Sequence, residues 1–171
     1  SVWEGTTQIQ ALDLLARKIL LEGKMKPLNQ HCVGLYKDCQ KLMFNGSSSQ
    51  VKSHAFTLFK EVVKLHYHSY RIGAKAASDR DSVGLASQDY LMYSGYVNMA
   101  HHWLLMEEAA SKKLAAGEGE AAFYESKIKC SNYYYENVFP RVESHKILMH
   151  APTDSVMGMK ESEFSFDHGL A

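Results

Sequence analysis

A carboxylate stands directly ahead of a glycine and a marked helix start in Val2-Trp3-Glu4-Gly5-Thr6-Thr7-Gln8-Ile9-Gln10. The free N–H groups of a helix N-terminus favour a nearby anion such as a phosphate. Val2 and Trp3 flank Glu4 and would dry it, which raises a carboxyl pKa toward that of a working general base. On these residues alone, a solvated Glu4 ahead of an ordinary helix is the competing reading. The nine histidines, among them His66 and His68, the pair His101-His102, and His145 near His150, raise the question of a metal. Spacing argues against one. A carboxylate-bridged di-iron bundle uses Glu-x-x-His on two helices, and a zincin uses His-Glu-x-x-His; neither occurs here. No metal site is expected. A Gly-rich phosphate loop, a Gly-x-Ser-x-Gly elbow and a Cys/His nucleophile pattern are absent too. Tyr133-Tyr134-Tyr135 beside Lys127 and Lys129 would suit a stacking surface for nucleic acid, but Glu125 and Glu136 neutralise it, so no nucleic-acid partner is expected.

The elements that carry these residues read as helices throughout. Thr7 with Gln10 has capping-box spacing, and a helix follows from about Gln8 to Leu21 with Ile9, Leu12, Leu15, Ala16, Ile19 and Leu20 on one face. Gly23 would close it as a left-handed residue and Pro27 would open the next helix, which runs to about Phe44. The Asn45–Ser49 stretch is a loop. A third helix spans about Ser49 to Ser78, a fourth about Val83 to Ala116, and a fifth about Glu120 to His150 with a kink at Pro140. On the fourth, Met92, Tyr96, Met99, Trp103 and Met106 form one apolar stripe and Tyr93, Val97, Ala100 and Leu104 its neighbour; the Met stripe is read as core, with Trp103 buried. Met157, Met159, Phe164 and Phe166 would pin the tail. Long helices and short loops predict an all-α, antiparallel up-and-down bundle.

Composition bounds the rest. The chain has 171 residues, 19 basic and 19 acidic, so it carries no global basic field. Residues 1 to 78 hold 11 Lys/Arg against 5 Asp/Glu and residues 79 to 171 hold 8 against 14, so the two halves should attract. Hydrophobic residues at 46% can build a core, yet no apolar run approaches the roughly 18 residues of a membrane span. Three cysteines without Cys-x-x-Cys spacing fit a reducing compartment, not a secreted one.

The segment Trp3 to Gln10 resembles the last catalytic segment of the acyl-CoA dehydrogenase family, aromatic-Glu-Gly-Thr-x-Gln-Ile-Gln. The continuation Ala11 to Lys18, Ala122-Phe123-Tyr124, Phe139-Pro140-Arg141 and Asp154-Ser155-Val156-Met157 are similar to the branch with an added C-terminal helical domain, exemplified by 3-methylmercaptopropionyl-CoA dehydrogenases. The resemblance implies that Glu4 is the general base removing the α-proton of an acyl-CoA thioester, with a flavin taking hydride from the β-carbon. It also implies that the backbone N–H at Glu4 helps bind the thioester carbonyl, that Gly5 admits substrate, and that Thr6 and Gln8 contact FAD. Residues 1–22 would be the catalytic loop and last helix of the catalytic helical domain, and 23–171 the extension bundle. Other walls of the flavin and acyl sites belong to regions that this sequence does not contain, so the chain reads as a C-terminal part, inactive alone. The full enzyme would be a homo-oligomer passing electrons to an electron-transfer flavoprotein-type acceptor, in the cytoplasm of a bacterium or the mitochondrial matrix of a eukaryote. A free-standing helical interaction or oligomerisation module without catalysis is the alternative.

Overall fold

The computed structural model describes residues 6–164. Val2, Trp3, Glu4, Gly5 and Phe166, and the Phe164 side chain, lie outside that description. The described residues form helices and no strand. They are α1 (Thr7–Leu12), which continues as a π-helix over Asp13–Leu21; α2 (Lys26–Asn45); α3 (Ser49–Ala76); α4 (Asp81–Ala115); and α5 (Ala121–Tyr133). A π segment (Tyr134–Val138) and a 3-10 turn (Phe139–Arg141) then lead to α6 (Val142–Leu148) and the short α7 (Asp154–Met157). The predicted all-α bundle is what forms.

Local chemistry sets the boundaries, with two departures from the sequence reading. The cap of α1 is Thr6, one residue earlier than Thr7: its hydroxyl accepts from the Ile9 N–H and its carbonyl from the Gln10 N–H. Gly23 does not take the left-handed conformation; Lys24 and Met25 do, at φ 43° and 65°. Glycine at 23 answers a close approach instead, since a Cβ there would stand 2.0 Å from the Lys18 carbonyl oxygen and 2.8 Å from Pro27 Cδ. Pro27 lies in the first turn of α2, as its missing N–H suggests. Gly117 and Gly119 carry the positive φ of the α4–α5 turn.

The fifth predicted helix is not one helix with a kink at Pro140. The break begins at Tyr134, because Pro140 lacks an N–H and its ring crowds the carbonyl four residues back, and the preceding turn rewinds to five-residue bonding.

α4, 35 residues and about 52 Å long, is the central element: α1, α3, α5 and α6 all pack on it, and α2 lies against α3. Cys32, Leu35 and Cys39 of α2 meet Ala55, Leu58, Val62 and Leu65 of α3 in the core. On α4 the buried stripe is Tyr93, Val97, Ala100 and Leu104, all 0% exposed. Its neighbour, read from the sequence as core, faces outward: Met92, Met99 and Met106 are 38%, 52% and 39% exposed. Trp103 is only half-buried, against Tyr134. α4 is apolar on nearly every side, so helical spacing offers two equivalent stripes and packing selects one.

Polar groups stitch the halves together. Glu107, fully buried on α4, accepts from Ser131 Oγ at 2.6 Å and pairs with His54 Nδ1 at 2.8 Å, while His54 stacks on Tyr135 at 4.0 Å. Glu108 accepts from the Ser47 N–H and hydroxyl. A buried cross-half ion pair runs against the charge count: Lys146 of the acidic half donates to Glu61 of the basic half at 3.0 Å. Burial pushes the Cys32 and Cys39 thiols up to about 11 and about 12, which makes them inert core residues.

Candidate functional site

The segment leading out of Trp3 to Gln10 is fastened to the bundle at Gln8. Its amide nitrogen donates to the Gly84 carbonyl at 3.3 Å and to Ser87 Oγ at 3.0 Å, so the start of α1 is tied to the first turns of α4. Ser87 is buried and donates in turn to the Gly84 carbonyl at 2.8 Å. Ala11, 0% exposed, seats the same turn. Thr6 and Gln8 are thereby brought to one end of the molecule, 6 and 8 being the two sequence-predicted site residues within the described range. Glu4 and Gly5 lie outside it.

A groove of about 850 Å³ runs from Gln8 along α1 and the start of α4 to α7. Leu12, Leu85, Leu148 and Met157 give it an apolar floor and rim, and Arg80, Asp81 and Asp89 give it charge. Asp89 pairs with His145 Nδ1 at 2.7 Å, and that ring stacks on Tyr96. The far wall is held by Thr153, whose hydroxyl donates to Asp79 Oδ2 at 3.2 Å. Asp79 also caps the first turn of α4 by accepting from the Ser82 N–H. None of the ion pairs among the described residues involves Arg80. It stands between this groove and an apolar one of about 880 Å³ lined by Leu20, Met25, Gly73 and Val83. In the π-helix that continues α1, Asp13 is held below the usual carboxylate range by Arg17 and Lys18.

Sequence reasoning pointed to the Thr6–Gln8 end and did not single out Arg80, Asp89 or Thr153, which line the groove beside it. Asp-Arg-Asp-Ser was legible only as a helix break, and nothing local in it says that the tail will fold back upon it. His54, His66, His68, His101, His145 and His150 are held by hydrogen bonds to neighbouring side chains, and among the described residues no three His, Cys, Asp or Glu side chains gather to hold a metal ion. No described helix is long and apolar enough to cross a membrane.

No curated protein matches the sequence. A family model described as acetyl-CoA dehydrogenase C-terminal like matches residues 35–160, from the middle of α2 to the tail. With about three quarters of its length inside that match and an all-helical bundle to house it, the chain belongs to this family, the C-terminal region of acyl-CoA dehydrogenases.

Proposed function

We propose that this chain supplies the C-terminal part of an FAD-dependent acyl-CoA dehydrogenase, in which Glu4 is the general base. The observation that carries the reading is a continuity: the segment matching the family's catalytic loop precedes the 35–160 family match in one chain, and Gln8 ties it to α4. Residues 1–22 then close the catalytic helical domain, and 23–171 form an extension of the type found beside 3-methylmercaptopropionyl-CoA dehydrogenases.

The described residues fit one edge of a flavin site. Thr6 Oγ1 accepts from Ile9 and keeps its own hydrogen to donate; the Gln8 N–H₂ is engaged by α4, which fixes the direction of its amide oxygen. Bound FAD would supply the hydride acceptor. Glu4 would take the α-proton, its backbone N–H would meet the thioester carbonyl where negative charge develops, and Gly5 would leave room for the substrate. One edge does not make a pocket: a ligand of this size needs most of its surface enclosed, and immobilising it costs about 4 kcal/mol or more. The chain alone is therefore expected to bind no FAD and oxidise no acyl-CoA.

The test uses the intact enzyme. Glu4→Gln should keep flavin and acyl-CoA binding while turnover falls by orders of magnitude, because an amide cannot accept the α-proton. Replacing Thr6 or Gln8 should lower the flavin-to-protein absorbance ratio. Undiminished dehydrogenation by Glu4→Gln would move the base elsewhere. A native protein with no flavin in any form would favour the non-catalytic helical module.

A further inference from the structure

Three half-buried histidines in this bundle are answered by carboxylates, His54 by Glu107, His101 by Asp38 at 2.9 Å and His145 by Asp89, and His66 by the Asn29 amide and the Tyr36 hydroxyl. His68 and His150 break the pattern. They face each other, Nδ1 of His68 lying 2.7 Å from Nε2 of His150, and among the described residues no carboxylate hydrogen-bonds either ring. Positive charge surrounds them. Lys64 and Arg71 stand one turn to either side of His68 on α3, with Lys75 a turn beyond, and Lys146 precedes His150 by one turn on α6. The acids nearby are already engaged: Glu61 by Lys64, Lys146 and the Tyr93 hydroxyl of α4, Glu143 by Lys146, Asp79 by Lys75 and Thr153. Arg71 enters no ion pair among the described residues. Lys64, His68, Arg71, Glu143, Lys146 and His150 line a groove of about 510 Å³ between α3 and α6, flanked by Tyr67 and Ile147.

The geometry suits an anion. In the neutral pair one ring donates to the other, leaving one outer nitrogen as a donor and one as an acceptor; after a single protonation both outer nitrogens, His68 Nε2 and His150 Nδ1, carry hydrogen. Two N–H donors beside a guanidinium and an ammonium are the donor set of an oxyanion site.

We propose that the α3–α6 groove binds a phosphoryl-class oxyanion, with Arg71 and Lys64 as fixed charges and the His68–His150 pair as proton-linked donors. Burial, Arg71, His68 and Lys75 hold His150 down to about 4, and burial, Lys146 and Arg71 lower His68. A bound anion opposes those cations, so the His pKa values rise on binding, binding takes up a proton, and affinity grows as pH falls toward the free midpoint.

The full chain with labelled histidine rings, titrated by NMR in chloride and then at matched ionic strength in sulfate, inorganic phosphate or phenyl phosphate, tests this. Sulfate keeps its double charge throughout the range and so separates titration of the protein from that of the ligand. The expected result is that sulfate raises the His150 midpoint by about one pH unit or more where chloride does not. Arg71→Gln, an exposed replacement of similar length, should weaken the anion about tenfold, the scale of one lost charge-assisted hydrogen bond. It should also raise the anion-free midpoint. Tighter phenyl phosphate than inorganic phosphate would identify an esterified phosphoryl group as the ligand, and the reverse order a free anion. A midpoint that moves no more in sulfate than in chloride, or a shift that survives both Arg71→Gln and Lys64→Ala, overturns the proposal.

Discussion

Deleting the Lys146 ammonium while Glu61 remains tests the polar joint between α3, α4 and α6. Glu61 and Lys146 are 6% and 8% exposed. Lys146 Nζ lies 3.0 Å from Glu61 Oε2, and the Tyr93 hydroxyl donates to that same oxygen at 2.9 Å. Removing one partner of a buried pair costs about 3–5 kcal/mol, because the other charge is left without compensation. Lys64, 2.7 Å from Oε1 and 45% exposed, still offsets part of the Glu61 charge, which places Lys146→Met at the lower end, about 3 kcal/mol. A domain of this size loses about 2–4 °C in Tm per kcal/mol, so the midpoint should fall by about 6–12 °C in calorimetry and circular dichroism. Glu61→Leu combined with Lys146→Met should recover much of the loss: both charges are gone, and the Tyr93 hydroxyl keeps the residue 61 carbonyl at 3.0 Å. An unchanged midpoint in Lys146→Met, or a double variant as unstable as the two single losses added together, would refute this account. The network also sets a pH limit. Burial would raise the Glu61 carboxyl, but Lys64 and Lys146 outweigh it and hold the pKa below its ordinary 4.5. The unfolded chain therefore protonates first as pH falls, and the contribution is full above about 4.5 and lost as pH drops through the folded value.

Leu104→Ala should cost about 2–5 kcal/mol in urea unfolding, whereas Met99→Ala, on the outward stripe, should stay within about 0.5 kcal/mol. Trp103→Ala should fall between them, at about 2 kcal/mol, below the range of a fully buried Trp. Gly23→Ala should destabilise by about 1–3 kcal/mol, since the new Cβ meets the Lys18 carbonyl; an unaltered midpoint would show that the turn yields freely. Gln8→Ala should speed hydrogen exchange of the Ile9–Leu12 amides by about tenfold, the effect of losing about 1.4 kcal/mol of anchoring to α4.

The order and approximate bounds of the helices up to the start of α5 were legible because punctuation is local: Pro27, the Asn-Gly-Ser run after Phe44, Asp79 to Ser82, and Gly117 with Gly119 each act on their own backbone. Which face of α4 turns inward was not, because Tyr93, Val97, Ala100 and Leu104 differ little in hydropathy from the Met stripe beside them. Buried Glu61, Glu107 and Lys146 were illegible for a related reason: each looks like a surface residue until a partner many residues away arrives. At the candidate site Thr6 and Gln8 could be singled out by the resemblance of Trp3 to Gln10 to the family's catalytic segment. The groove beside them could not, since its walls come from α1, α4 and α7 and exist only once the tail has returned.

The rewinding ahead of Pro140 has a consequence for phase. An α-helix advances about 100° per residue, and one extra residue taken up in a π turn shifts everything downstream by that angle. Val142, Lys146 and Met149 reach the core only because Tyr134–Val138 absorbs the shift. Deleting a single residue from that segment would let the winding return to the α form and swing α6 around its axis. The Lys146 ammonium would then point to water, His150 would part from His68, and the wall opposite Arg71 would be gone. Chain length between Tyr133 and Phe139, more than the identity of any side chain there, is therefore what dials the α6 residues into place.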